Sequence, residues 1–141
     1  MAGVEDIIRS VFRFSVLQRY DKRHVHYVAY DGQYRYYIVV TTRVLQSSRR
    51  LFARDFGEML GVRSSILAQE YDYIVWIVER GTCFEVYMER TYRVNQFCLE
   101  HRTIYRNRET GEYVCNYPVK HARKVYEKCL NRTLLDYPLS R

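Results

Sequence analysis

The dipeptide Asp31-Gly32 stands between two runs in which apolar and polar residues alternate, within residues 24–43. Alternation with a period of two is typical of a β-strand that has one face toward a core. Asp-Gly favours a type I′ turn, which needs positive φ at both central positions. The stretch therefore predicts a β-hairpin over 24–43, with Tyr30 opposite Gln33 across a two-residue loop.

The two faces of this hairpin differ in chemistry. One face is apolar and aromatic, and we expect it to contact the core: Val25, Tyr27, Ala29, Tyr34, Tyr36 and Ile38. The other face, named here the basic face, mixes rings with cations: His24, His26, Val28, Tyr30, Arg35, Tyr37, Val39 and Arg43. Flat rings stack on bases and arginines pair with phosphates, so we expect the basic face to be open and to bind nucleic acid.

The charge balance of the chain favours the same kind of partner. The formal net charge is +7, and of the 23 basic residues four are lysine and 19 are arginine. Arginine pairs with phosphate through two parallel donors and stacks on aromatic rings, so this bias favours nucleic acid. The composition, which includes 15 tyrosines, also fits a protein adapted to high temperature. Composition alone leaves both interpretations open.

Hydrophobic periodicity divides the rest of the chain into helices and further strands. A period of 3.6 residues predicts helices at about 4–20, 48–60 and about 119–135. Alternating or continuous apolar runs predict strands at 73–78, 83–89, 103–106 and 113–116. The run at 73–78 is apolar throughout, so we expect a central strand buried on both faces. Residues 91–101 are ambiguous between loop and strand.

These elements predict an α+β fold in a single domain over 1–141. We expect an antiparallel sheet of four or more strands, with the helices packed mainly on one face. The opposite face of the sheet would then be open to a ligand or to another subunit. The apolar stripe of the helix at 119–135 could pack within the chain or between two copies, and we expect a homo-oligomer.

Four cysteines are spread along the chain without a Cys-x-x-Cys pair: Cys83, Cys98, Cys115 and Cys129. Structural zinc sites usually bring their ligands in close pairs, so we expect no metal and no other cofactor. The thiols should act as small, half-buried hydrophobes, with disulfides only in a hyperthermophilic source. No apolar run approaches the ~20 residues of a membrane span and no signal peptide is recognisable, so we expect a cytoplasmic protein without a membrane partner.

Residues 55–69 resemble the generic pattern of a helix-turn-helix and support a second hypothesis. Gly57 takes the small position of the first helix, 60–62 the turn, and Ile66 the apolar position of the second helix. The resemblance implies a regulator that reads duplex DNA through Arg63, Ser64, Ser65 and Gln69. Two features depart from the pattern, because a long hairpin precedes the motif and the second helix would have only about six residues.

A third hypothesis is a metal-dependent nicking nuclease. His24 and His26 form a His-hydrophobic-His triplet, which resembles the metal motif of single-strand replication nucleases and related transposases. Their spacing places both imidazoles on one strand face, and the resemblance implies Tyr126 as the nucleophile. Such enzymes have a strand before the triplet, where a helix is expected here. We therefore expect no enzyme activity, and an interaction protein without nucleic acid stays open as a fourth class.

The stretches HVHYVAYDGQYRYYIVVTTR and SSRRLFAR resemble those of small, non-OB single-stranded DNA-binding proteins of thermophilic archaea. The resemblance implies an aromatic and basic surface on a sheet or in a cleft, and oligomers that trap the strand. We therefore expect non-catalytic binding of single-stranded DNA, or RNA, with little regard to sequence. The expected binding residues are His26, Tyr30, Arg35, Tyr37, Arg43, Arg49, Arg50, Arg54 and Trp76. If the basic face is open, alanine at Arg35 and Tyr37 weakens binding and leaves the melting temperature nearly intact.

Overall fold

The computed structural model of this chain describes residues 3–20, 25–46 and 56–130. In this part of the chain there are three α-helices: α1 Val4–Val11, α2 Ser64–Leu67 and α3 Thr91–His101. The first five strands are β1 Val16–Arg19, β2 His26–Tyr30, β3 Arg35–Thr41, β4 Leu45–Gln46 and β5 Glu58–Arg63. The remaining strands are β6 Tyr73–Arg80, β7 Cys83–Arg90, β8 Ile104–Arg106, β9 Tyr113–Pro118 and β10 Arg123–Cys129.

These strands form two sheets. The large sheet has six strands in the order β1-β2-β3-β6-β7-β10, and the small sheet has four in the order β4-β5-β9-β8. The small sheet is antiparallel, whereas the large sheet is mixed because β3 and β6 run parallel. A sheet of at least four strands is therefore confirmed, but the prediction that the main sheet is antiparallel is wrong. Parallel neighbours need a long crossover, and residues 42–72 provide it with β4, β5 and α2.

Strand β6 lies at the centre of the fold. Its residues Ile74 to Val78 are all fully buried, which confirms the central strand predicted at 73–78. One face of the large sheet packs against Ile7 and Ile8 of α1. The opposite face packs against the small sheet together with α2 and α3. The predicted placement of helices on one face is wrong, because a strand that is apolar on both sides needs cover on both sides.

The predicted hairpin is confirmed as β2 and β3, but its register differs from the expectation. Tyr30 pairs with Arg35, so the loop has four residues, 31–34, instead of two. The Asp31 carboxylate organises this loop by accepting hydrogen bonds from two loop amides and, at 2.6 Å, from the Tyr36 hydroxyl. A shift of two residues leaves every side chain on its predicted face, since side chains alternate with a period of two.

The predicted helices are the main errors. The helix expected at 4–20 ends at Val11, and 16–19 forms β1, which pairs with the outer edge of β2. The helix expected at about 119–135 is a short 3₁₀ turn followed by β10, which pairs with β7. In both segments the chain pairs with a free edge of the large sheet, and this tertiary pairing overrides the local helical periodicity. Residues 131–135 of that prediction lie outside the described part.

Three further predictions have mixed outcomes. In the helix expected at 48–60, residues 58–60 belong to strand β5, and 48–55 lie outside the described residues. Residues 91–101, ambiguous in the sequence, form helix α3. The strands expected at 83–89, 103–106 and 113–116 are confirmed as β7, β8 and β9.

The single-domain prediction stays a prediction. Among the described helices, none is long and apolar enough to cross a membrane.

The four cysteines divide into two pairs. Cys83 and Cys129 are cross-strand partners on β7 and β10 and form a disulfide. Cys98 and Cys115 are buried free thiols. The expectation of four thiols is therefore wrong for the first pair, because strand pairing brings together two residues that are far apart in sequence. The disulfide fastens the edge strand β10 to the sheet.

Removing this disulfide should lower stability. Cys83 and Cys129 are separated by 46 positions, and a cross-link over such a loop restricts the unfolded chain. The double variant Cys83→Ser/Cys129→Ser should therefore lose about 2–4 kcal/mol of unfolding free energy. Urea unfolding with and without reductant measures this loss. Reductant should destabilise the wild type and leave the double variant unchanged, and wild-type stability that survives full reduction would contradict the bond.

Candidate nucleic-acid interface

The small sheet covers the inner half of the predicted basic face. Tyr37 on β3 and Trp76 on β6 both have 0% exposure beneath it. The Trp76 Nε1 donates a hydrogen bond to the Gly61 carbonyl oxygen at 2.9 Å, and its ring stacks parallel to that of Tyr117. Neither ring has a face open to a base, so the predicted stacking roles of Tyr37 and Trp76 are wrong. Both rings are buried because the small sheet packs on the apolar surface that they provide.

The hydroxyl of Tyr37 is the buried end of a polar chain that links the two sheets. It lies 2.8 Å from His26 Nδ1 and accepts a hydrogen bond from Arg63 Nη2 at 2.9 Å. Arg63 also pairs through Nη1 with Glu112 Oε2 at 3.2 Å. Burial raises the pKa of Tyr37 to about 12, and the bond from Arg63 opposes part of that rise. These hydrogen bonds hold the side chains of His26 and Glu112 in position at the junction of the sheets.

The outer half of the basic face, on β2, is open, and so is the adjoining face of β1. Tyr20 is 46% exposed and Tyr30 is 40% exposed. The Tyr20 ring packs edge-on against Tyr37 at 5.4 Å between centroids, which puts it on the same face as Tyr30. Cross-strand pairing of Val16 with Tyr30 extends this face onto β1. We name this surface the shelf, formed by Val16, Gln18, Tyr20, His26, Val28, Tyr30 and Arg35.

Arg35 lies at one end of the shelf, directly opposite Tyr30. Its guanidinium sits 5.0 Å from the centroid of the Tyr71 ring, a cation–π distance. Nη1 donates to the Glu70 carbonyl oxygen at 3.4 Å, and the backbone amide donates to Asp72. A guanidinium has five N–H donors, so these contacts orient the exposed Arg35 and leave donors for a phosphate.

A cleft of about 310 Å³ continues from the other end of the shelf, between β3 and the small sheet. His26 lines it and belongs to both surfaces. Exposed Arg43 stands at the cleft beyond the end of β3, where its amide donates to Thr41 Oγ1 at 2.9 Å. Glu112 and Asn116 line the cleft from the side of the small sheet. Shelf and cleft therefore form one path along the hairpin.

Four of the residues expected from sequence meet on this path: His26, Tyr30, Arg35 and Arg43. Arg49, Arg50 and Arg54 lie outside the described residues. Sequence reasoning missed Tyr20, because it assigned 4–20 to a helix. Residues 16–19 read Val-Leu-Gln-Arg and do not alternate between apolar and polar side chains, so no periodicity identified a strand there. Glu112 had no signal, because only the fold brings it to the cleft.

Residues 56–69, the described part of the predicted helix-turn-helix, do not form that motif. Strand β5 occupies 58–63, so the expected turn at 60–62 is extended and pairs with β9. Helix α2 has only four residues, with two of them buried, and cannot present a recognition surface. The prediction is wrong because Met59, Leu60 and Val62 are core residues of the small sheet.

The two described residues of the predicted nuclease site, His26 and Tyr126, do not meet either. Tyr126 lies on strand β10 and not on a helix, and His26 lies on β2. Four strand spacings of ~4.8 Å separate these strands, or ~19 Å. His24 lies outside the described residues, and among those described no three His, Cys, Asp or Glu side chains form a group that could hold a metal ion.

No protein-family model, curated protein or solved structure matches this chain.

An alkaline titration tests the burial of Tyr37. Its folded-state pKa of about 12 lies above the ordinary value of 10, so its stabilising contribution is complete below pH 10 and is lost as pH rises toward about 12. The unfolding free energy of the wild type should fall more steeply across that window than that of Tyr37→Phe, as measured by urea unfolding. Tyr30→Phe controls for loss of an exposed hydroxyl. Identical slopes for wild type and Tyr37→Phe would contradict a buried Tyr37.

Proposed function

We propose that this protein binds single-stranded nucleic acid, without catalysis, along the shelf and the cleft. The observation that supports this most directly is the pair of exposed tyrosines on the shelf, Tyr20 and Tyr30, with Arg35 directly opposite Tyr30. Exposed rings next to an oriented arginine supply the two contacts that a single strand needs, which are stacking for bases and donors for phosphates.

The spacing of the two rings suits separate bases. Tyr30 and His26 are four residues apart on β2, which corresponds to ~13 Å at ~3.3 Å per residue. Tyr20 stands beside His26, because its amide donates to the His26 carbonyl oxygen at 2.8 Å. One base cannot contact both tyrosines over such a distance, so the strand runs along β2 and stacks a different base at each ring.

Two arginines flank this path. Arg35 begins β3 beside Tyr30, and Arg43 follows the end of β3 at the cleft, so the length of β3, ~20 Å, lies between them. Each can contact a different phosphate of a strand that crosses the shelf. The net charge of +7 adds a long-range attraction for any polyanion.

Stacking on the shelf selects unpaired strands. The faces of bases in a duplex already contact neighbouring bases, whereas a single strand offers them to Tyr20 and Tyr30 at little cost. Stacking and phosphate contacts read little sequence, so the shelf should accept most single strands. A homo-oligomer would join shelves into a longer path. That assembly and a cytoplasmic location stay predictions from the sequence.

Fluorescence polarisation tests the proposal with labelled single-stranded DNA, duplex DNA and single-stranded RNA at two salt concentrations. Single-stranded DNA should bind more tightly than duplex DNA, and its affinity should fall as salt rises because bound phosphates release counterions. Comparison with RNA then measures the preference between the two single strands. The proposal is overturned if no single strand binds at low salt, or if the duplex binds as tightly.

Substitutions on the shelf provide the second test. Tyr30→Ala should weaken binding about 5- to 150-fold, the loss expected for ~1–3 kcal/mol of stacking. Arg35→Ala should reduce the salt dependence by about 0.7 in log–log slope, the value for one phosphate on a single strand.

Matched controls distinguish the shelf from general charge and aromatic content. Tyr92 is an exposed tyrosine on α3, and Arg123 is an exposed arginine on β10 at the far edge of the large sheet. Tyr92→Ala and Arg123→Ala should keep wild-type affinity, with all four variants melting at similar temperatures. Equal losses in Arg35→Ala and Arg123→Ala would show that net charge, and not the shelf, governs binding.

A further inference from the structure

The cleft next to the shelf has the size and polarity to hold one nucleobase. Its volume of about 310 Å³ is at the small end of ligand pockets. Its walls include apolar side chains from both sheets, among them Val39, Met59 and Val114. A base is flat and apolar on its two faces and carries polar groups along its edge. Apolar walls that lead to a polar end therefore complement a base that enters edge first.

Glu112 provides the polar end. Its side chain is 34% exposed and lines the cleft. Oε2 accepts a hydrogen bond from Arg63 at 3.2 Å, and Arg63 is held in turn by the Tyr37 hydroxyl. Among the described residues, Oε1 accepts no hydrogen bond. The carboxylate is thus oriented by its partner and still has acceptor capacity for a ligand.

A second acceptor also lines the cleft. Asn116 is fully buried, and its Nδ2 donates to the Thr103 carbonyl oxygen at 3.2 Å. Its Oδ1 has no hydrogen-bond partner in the described part of the chain. Gly61 leaves the space beside this oxygen, because a Cβ there would lie 3.4 Å from Oδ1 and 3.1 Å from a methyl group of Val114. Acceptor oxygens that have no donor partner favour a ligand that brings N–H groups.

Guanine is the base that fits this requirement. Its Watson–Crick edge carries two adjacent donors, the ring N1–H and the exocyclic amino group, which can meet both oxygens of one carboxylate. Adenine and cytosine present a donor beside a ring acceptor, and thymine and uracil present a donor between two carbonyl oxygens. A ring or carbonyl acceptor facing the Glu112 carboxylate is repelled, so only guanine gains two charge-assisted bonds.

We propose that the cleft binds one guanine of the bound strand, with Glu112 reading its Watson–Crick edge and Arg43 contacting an adjacent phosphate. This inference rests on the proposed function, because the shelf delivers the strand to the cleft. It adds a base preference at a single position to binding that is otherwise tolerant of sequence. The base leaves the stack to enter the cleft, which is easiest for a strand that is already single.

Polarisation titrations of labelled oligo(dT) and of the same oligomer with one central dG, dA or dC test this preference. The dG oligomer should bind about tenfold more tightly than oligo(dT), the factor that corresponds to about 1.4 kcal/mol. The dA and dC oligomers should match oligo(dT). Equal affinity for dG and dT overturns the guanine site and leaves the shelf proposal standing, whereas no binding of any oligomer overturns the shelf proposal itself.

Two variants locate the preference. Glu112→Gln should lose it, because one acceptor oxygen becomes a donor, so that the dG oligomer and oligo(dT) bind this variant equally. Glu109→Gln is the matched control, since it removes the same charge from an exposed position in the same turn, and it should keep the preference. A preference that survives Glu112→Gln overturns the assignment to the cleft.

Two measurements accompany these titrations. Methyl NMR of the wild type is independent of any variant's folding, and the Val114 methyl signals should shift with the dG oligomer and not with oligo(dT). Competition by unlabelled GMP and AMP then distinguishes recognition of a base within a strand from binding of a free nucleotide. GMP should compete weakly and AMP not at all. The proposal is overturned if GMP binds more tightly than the dG oligomer. It is also overturned if the Val114 methyl signals do not shift when the dG oligomer is added.

Discussion

The burial of β6 on both faces is the constraint on which the rest of the structure depends. A strand whose side chains are apolar on both sides must be covered on both sides, at roughly 25 cal/mol for each Å² of apolar surface removed from water. Helix α1 covers one face, and the small sheet with α2 and α3 covers the other. The parallel pairing of β3 with β6 requires the long crossover that supplies part of this second cover.

The extent of the small sheet creates the candidate interface. It covers the inner strands, where Trp76 and Tyr37 join its core, and stops short of β1 and β2. Tyr20, which follows β1, and Tyr30, at the end of β2, therefore remain exposed, and the boundary between the sheets becomes the cleft. The Tyr37 hydroxyl is bonded to both His26 and Arg63, so the buried half of the basic face holds the polar groups of the junction in place.

Local patterns predicted the strands correctly where alternating or continuous apolar runs were bounded by turn residues. The hairpin, the central strand β6, strand β7 and the β8–β9 hairpin were all predictable from alternation and turn residues. The errors fall on segments whose apolar residues follow the helical period in the sequence but which pair with a sheet edge in the fold, such as 16–19 and 123–129. Residues of β10 are only half-buried or exposed, so no strong hydrophobic pattern marks them. Their conformation depends on the free edge of β7, which lies far away in sequence.

The sequence by itself determined which side chains share a face of the hairpin, because alternation survives a register shift of two residues. It also determined that β6 is buried and that the chain is basic. Only the tertiary structure decided which part of the basic face is open, since exposure depends on what another sheet covers. The meeting of Tyr20, Tyr30 and Arg35, and of His26 with Glu112, likewise required the fold, because these residues come from separate strands and loops whose pairing no local pattern encodes.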